Sequence, residues 1–308
     1  MDVLIVGSIA YDSLESPEGK SDDELGGSAT YSGFSAAFHS QRLEISNVGI
    51  VGVVGNDFLP KDLDLFVNAG LDIGGIEEAE GSTFRWKGSY HGDMATAQTH
   101  ETKLNVLENF QPKIPPNAIN PKVLFCANLH PDIQLSVLKQ TNAKRLVALD
   151  SMNLWINIAK SQLIKVMNEV DIIVLNEEEI CMLANNDDLI SASKSIREIT
   201  GNPIVVIKRG KHGVMAMDSE GHFSLPSFPV SRLVDPTGCG DSFAGAMVSF
   251  LSKGEGQITR NELVESLIHA TVTASFTLES FGTESLRALK LDNYESRLID
   301  YQQISNIR

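Results

Sequence analysis

Short apolar runs rich in β-branched residues recur along the chain at residues 2–7, 48–54, 123–127, 146–150, 172–175 and 204–207, separated mostly by segments of helical length. Within each run the apolar character is continuous rather than alternating, the pattern of strands covered on both faces. A mostly parallel sheet flanked by helices satisfies that repeat, so the fold class predicted is α/β, doubly wound. At 308 residues and 42% hydrophobic content, the chain has material for a substantial core. No linker, internal repeat or low-complexity tract divides it, and residues 1–308 read as one domain.

Two stretches break the rhythm. Residues 12–25 are polar, acidic and turn-rich, and residues 82–102 alternate, with Phe84, Trp86 and Tyr90 on one side and Thr83, Arg85, Lys87 and Ser89 on the other. Period-two alternation marks a sheet with one wet face, and His91-Gly92-Asp93 is suited to a hairpin turn. These stretches are read as a small antiparallel β lid over one end of the main sheet. The pattern alone equally permits an edge hairpin packed on the core. Beyond Gly201 a strand at 204–207 leads to a second at 213–217, a turn at Ser219-Glu220-Gly221, and helices predicted at 241–252 and 261–279.

The net charge of −15 opposes a phosphate backbone, because non-specific nucleic-acid binding needs Lys and Arg to displace counterions. Nucleic acid and anionic membranes are therefore not expected partners, and a neutral acceptor is favoured over an anionic one. Cys126, Cys181 and Cys239 lie far apart with no CxxC pair, which predicts neither disulfide framework nor zinc site and fits a reduced cytoplasmic setting. Residues 1–7 carry no basic leader and too short an apolar run for a signal peptide or membrane span. They read as a first buried strand.

Chemistry concentrates in Asp235-Pro236-Thr237-Gly238-Cys239-Gly240-Asp241-Ser242-Phe243-Ala244-Gly245, a glycine-rich turn entering an apolar helix. Glycines admit close backbone approach, and unpaired N–H groups at a helix start hold anions. An aspartate at the end of such a turn would repel a phosphate unless it moved a proton. Asp241 can take the proton of an attacking hydroxyl while Gly238, Cys239 and Gly240 form an anion hole for the transferring phosphoryl group. Taken alone, Gly-x-Gly-Asp also reads as an ordinary turn followed by an N-cap.

The longer form resembles the signature of the PfkB or ribokinase-like carbohydrate kinases, usually Asp-Thr/Pro-x-Gly-Ala-Gly-Asp, with Cys239 where alanine is common. The resemblance spans essentially the whole chain. It implies a ribokinase-like fold and transfer of the γ-phosphate of ATP to a hydroxyl of a small sugar or polyol. Asp12 falls where the family has its substrate aspartate, and Gly26-Gly27 matches the di-glycine beside the sugar. Asn176-Glu177-Glu178-Glu179 resembles the Asn-x-x-Glu motif, in which Glu179 would organise Mg2+ through water. Lys208, Gly210 and Gly213 resemble the Lys-x-Gly-x-x-Gly segment beside the nucleotide, Thr237 lies in the signature itself, and Gly282 falls where the family builds part of its adenine pocket. The family also implies a potassium response near the turn of Asp235, and homodimers joined through lids.

Each position has a bland rival: Asn176 with Glu179 is a good capping box, Asp12 suits a turn, Gly26-Gly27 a bend, and Lys208 a solvated strand end. Departures from the pattern bear on the acceptor. Tyr31 stands where an asparagine is frequent, and is read as either a stacking group or core packing. Asp150-Ser151-Met152-Asn153-Leu154-Trp155 resembles the Asp-x-Asn segment, with Asn153 facing the substrate, but it lacks an arginine to clamp a second phosphate. A phosphosugar is therefore disfavoured. Gly19-Lys20-Ser21 lacks the first P-loop glycine, and Gly238-Cys239-Gly240 has Phe243 where a dinucleotide fingerprint needs glycine. Cys239 at a helix start invites a thiol role, with a passive small side chain as the plainer reading. Two other functions fit the same residues: a nucleoside kinase with Phe84, Trp86 or Trp155 stacking on a base, and a sensor that binds sugar or nucleotide without chemistry.

Overall fold

The computed structural model describes residues 1–45 and 47–306. Its strands are β1 (Val3–Val6), β2 (Ala10–Ser16), β3 (Gly19–Gly26), β4 (Val48–Gly55), β5 (Leu71–Ala79), β6 (Phe84–Tyr90), β7 (Ala97–Lys103), β8 (Val123–Cys126), β9 (Leu146–Asp150), β10 (Ile172–Asn176), β11 (Ile204–Lys208), β12 (Val214–Asp218) and β13 (Gly221–Leu225). Its helices are α1 (Ser28–Leu43), α2 (Pro60–Asn68), α3 (Pro131–Gln140), α4 (Asn153–Ile158), α5 (Lys160–Met167), α6 (Glu177–Ala184), α7 (Leu189–Ile199), α8 (Cys239–Ser252), α9 (Arg260–Thr277), α10 (Glu284–Arg287) and α11 (Leu291–Ser305). No described helix is long and apolar enough to cross a membrane.

The continuous apolar runs become the interior of a nine-stranded sheet ordered β13-β12-β11-β10-β9-β8-β1-β4-β5. From β11 to β5 neighbours are parallel, and β12 and β13 add an antiparallel edge. Side chains alternate between two apolar layers. Val3 and Ile5 join the cluster under α1, α8 and α9, while Leu4 and Val6 join the one under α5 and α7. The chain reverses its progress across the sheet between β1 and β8, so a crevice opens at the carboxyl ends of those two strands.

The polar stretches form a second, four-stranded sheet ordered β3-β2-β6-β7. It consists of two antiparallel hairpins joined by a parallel β2–β6 pair. Register puts Asp12 beside Trp86 and Leu14 beside Gly88, so Trp86, Gly88 and Tyr90 share the inner face with Asp12. The expected wet face is interrupted. A bulge in β7 leaves His100 unpaired between Glu101 and Thr99, re-aiming that side chain as bulges do. His91 and His100 then cover Ser89, each ring nitrogen meeting its hydroxyl, at 3.0 and 2.7 Å.

Candidate active site

The crevice is built first by the end of β1 and the start of α1. Ser8 N–H donates to Ser28 Oγ and Ser28 N–H to Ser8 Oγ, both at 3.0 Å, and Ser28 Oγ donates to Asn128 O at the end of β8. Gly26 lies against Asp12, where a Cβ would come within 1.9 Å of Asp12 Oδ2. The Asp12 carboxyl is buried, and burial, then the charges of Asp235 and Asp241, push its pKa well above the ordinary value.

The glycine-rich turn is held from three sides. Asp235, 1% exposed, accepts from Thr237 N–H at 2.9 Å and from Gly282 N–H at 3.2 Å. Thr237 Oγ1 donates to Tyr90 Oη of the lid. Gly238 caps α8 with φ 71, and a Cβ there would strike Tyr31 Cγ at 2.2 Å, so only glycine fits. The Cys239 N–H donates to Pro236 O, which narrows the expected anion hole to Gly238 and Gly240, whose amides meet no acceptor among the described residues. The Cys239 thiol faces Ala274 O, and burial pushes its pKa up to about 12, making it a poor nucleophile.

Asp241 occupies the first turn of α8, partly exposed. Ser32 of α1 donates to its backbone carbonyl at 3.0 Å, fixing the helix start. Among the described residues no other side chain claims its carboxylate. Burial first, then the like charge of Asp150, raises its pKa to about 7, against the pull of Lys208.

Beneath the turn, the carboxyl ends of β9, β10 and β11 bring together Asp150, Asn176 and Lys208. Lys208 is not a solvated strand end. Its Nζ lies 2.7 Å from Asp150 Oδ2 and would be 3.0 Å from a Cβ at Gly240. Burial opposes its charge, yet Asp150, Glu179 and Asp241 together hold its pKa above the usual lysine value. Asp150, which sequence reasoning left without a role, is the anchor of this ammonium. Its signal in the sequence was its place at the head of the stretch resembling the Asp-x-Asn segment, which gave Asn153 a role and Asp150 none.

Asn176 and Glu179 do form the capping box of the rival reading, each side chain taking the other's backbone N–H at 2.8 Å. Glu179 is nonetheless buried beside Lys208, with burial raising its pKa to about 7. No set of three or more His, Cys, Asp or Glu forms a metal cage among the described residues. Glu179, with one oxygen taken by the Asn176 N–H, leaves a single carboxylate oxygen free, which fits a Mg2+ that keeps its waters and rides on phosphates rather than a protein-caged ion.

Of the remaining positions, Gly210 and Gly213 shape the turn between β11 and β12, both at positive φ. Gly282 follows α9 and lies beside Glu24 of the lid. Asn153 is exposed at the start of α4. Trp155 is buried, its Nε1 donating to Asn128 Oδ1 at 2.9 Å. Trp86 is half-buried on the inner face of the lid, its indole folded over Gly88 and its Nε1 donating to Thr99. The lid touches the main body near the turn through Tyr90 and through exposed ion pairs, Lys211 with Asp93 and Arg232 with Glu18.

Residues 125–289 match the model of the pfkB family carbohydrate kinase. The chain is 30% identical over 261 residues to the cytidine kinase of Thermococcus kodakarensis, covering 82% of this chain and 90% of that one. Its fold is similar to the nucleoside kinase of Methanocaldococcus jannaschii, an archaeal member of the ribokinase family (TM-score 0.77, 19% identity, 97% of this chain and 99% of that one). It is also similar to the fructokinase of Vibrio cholerae O395 in its fructose, ADP and calcium ion bound form (TM-score 0.76, 16% identity, 96% and 98%).

Proposed function

Because this chain belongs to the pfkB family of carbohydrate kinases, we propose that it transfers the γ-phosphoryl group of ATP to a ribose hydroxyl of a nucleoside. The observation that carries phosphoryl transfer is Asp241, a carboxylate unclaimed by any other described side chain, beside the open amides of Gly238 and Gly240. With a pKa raised to about 7, it can take the acceptor proton near neutral pH and release it afterwards, where general-base catalysis is most effective. The amides of Gly238 and Gly240, with Lys208 behind them, neutralise charge on the phosphoryl oxygens. Asp12 accepts from acceptor hydroxyls, and the lid excludes water that would otherwise be phosphorylated in their place. Mg2+, when bound through water to Glu179, supplies neutralisation of the phosphates.

The choice of a nucleoside rests on Trp86. Its indole lies beside Asp12 in register, on the face turned toward the site, where a base carried on the ribose would stack. The 30% identity to a cytidine kinase supports the same choice. A free sugar is the second reading, favoured by the fructose-bound relative of the same fold. ADP release with Mg-ATP across cytidine, adenosine, inosine, ribose and fructose separates them. Turnover confined to nucleosides is expected. Turnover on ribose or fructose alone moves the assignment to sugars, and no ADP from any acceptor returns the binding-only reading.

A further inference from the structure

Among the described residues, the buried Tyr31 hydroxyl is left without a protein partner, as are those of Ser151 and Ser242 next to Asp150 and Asp241. Tyr31, in the first turn of α1, is 1% exposed, and its hydroxyl makes no hydrogen bond among the described residues. The ring cannot move toward the catalytic turn, because it already fills the space a Cβ at Gly238 would need. Burial first, then the charges of Asp12 and Asp235 and, less strongly, Tyr90 and Asp241, raise its pKa well above the ordinary tyrosine value, so the phenol stays protonated and offers a donor. A buried donor left unpaired is costly, and native structures keep few of them.

The surrounding groups decide what can use that donor. Asp235 is committed to the Thr237 and Gly282 amides, and Tyr90 accepts from Thr237. Asp12, whose carboxyl takes the Gly27 N–H, and Asp241, which meets only its own N–H, both keep acceptor capacity for a ligand. A phosphate or carboxylate arriving here would meet three acidic side chains. A carbonyl could accept from Tyr31 but has no proton for Asp12. A hydroxyl does both, accepting from the phenol and donating to the carboxylate.

We propose that Tyr31 Oη donates a hydrogen bond to one hydroxyl of the acceptor's vicinal diol, which in turn donates a hydrogen bond to Asp12, and that this contact makes the enzyme select ribosides over a deoxyriboside lacking that hydroxyl. The proposal rests on the phosphotransfer reading above. It makes Tyr31 a specificity residue rather than core filling.

The test is Tyr31→Phe, assayed for kcat/KM on a riboside and on its 2′-deoxy and 3′-deoxy analogues. Expected is a loss of roughly tenfold to a hundredfold on the riboside. One deoxy analogue keeps its wild-type rate, so the preference collapses, while KM for ATP stays unchanged and the melting temperature does not fall. An equal loss on all three substrates, or no loss in the folded variant, overturns the proposal. So does a loss reversed by raising K+, which would make the phenol a cation ligand. If the wild-type enzyme phosphorylates none of them, the phosphotransfer reading fails. Calorimetric binding of the same three nucleosides to both proteins then decides Tyr31 by itself: a riboside preference that Tyr31→Phe abolishes supports the contact, and an unchanged preference overturns it.

Discussion

Replacing Asp150 with asparagine removes one charge from the buried set beneath the glycine-rich turn while keeping its shape. Asp150 Oδ2 holds Lys208 Nζ at 2.7 Å and Oδ1 accepts the Ser151 N–H at 2.8 Å. Breaking one partner of a buried pair costs about 3–5 kcal/mol, and since asparagine still offers an acceptor the lower end applies, about 3 kcal/mol. For a chain of 308 residues that corresponds to a fall in Tm of roughly 5 °C. The kinetic effect has the opposite flavour. The like charge of Asp150 helps raise the Asp241 pKa to about 7. Without it, and with Lys208 no longer matched, the Asp241 carboxyl titrates lower, by of order one unit. The acid limb of kcat/KM against pH, which reports the free enzyme's base, therefore moves down while the protein becomes easier to melt. The assay is the pH profile of ADP release at a temperature well below the lowered Tm. An acid limb unmoved in a cooperatively melting Asp150→Asn protein would refute the reasoning.

Three further outcomes follow from the same structure. Gly238→Ala places a Cβ against Tyr31 at φ 71 and should cost about 1–3 kcal/mol in denaturant unfolding with loss of most turnover; wild-type stability would contradict the contact. His269 is held down to about 3 by burial and then by Arg42, while in the unfolded chain it titrates near 6.5, so its penalty is absent above pH 7 and grows as pH falls through about 6.5. Compared with His269→Gln, the wild type should lose relative stability between pH 7.5 and pH 5, and a constant difference in urea midpoints would contradict the shift. Trp86→Ala should raise KM for a nucleoside by roughly tenfold, from about 1–3 kcal/mol of lost stacking, and an unchanged KM removes the base shelf.

The main sheet was legible because continuous apolar runs have few other uses in a chain this long. The two exceptions, β5 and β13, are half-exposed edge strands of the nine-stranded sheet. Gly74 and Gly75 with Glu77 and Glu78 in β5 lack the apolar run on which the reading depended. The lid reading of residues 12–25 holds in β2 and β3, and their turn-rich composition reflects the partly exposed face of β3 and its irregularity, with Asp23 at φ 57. The alternation of residues 82–102 holds through β6, where Trp86, Gly88 and Tyr90 keep one face, and is broken only in β7 by the bulge at His100, which no periodicity announces. The glycine-rich turn at the proposed site was legible because its glycines and aspartate are contiguous. Asp150 was not, since its meaning depends on a lysine 58 residues away that only strand register brings to it. The Asn176 capping box shows a different limit: the bland reading and the functional one name the same atoms.

In the proposed reaction the carboxylate of Asp241 removes a proton from a bound alcohol. Turnover of Asp241→Asn at saturating Mg-ATP and acceptor, measured beside its ATP affinity, tests this directly. A fall of roughly a hundredfold to ten-thousandfold with ATP binding preserved is predicted. Turnover close to wild type, with the phosphorylated nucleoside still formed, would contradict it.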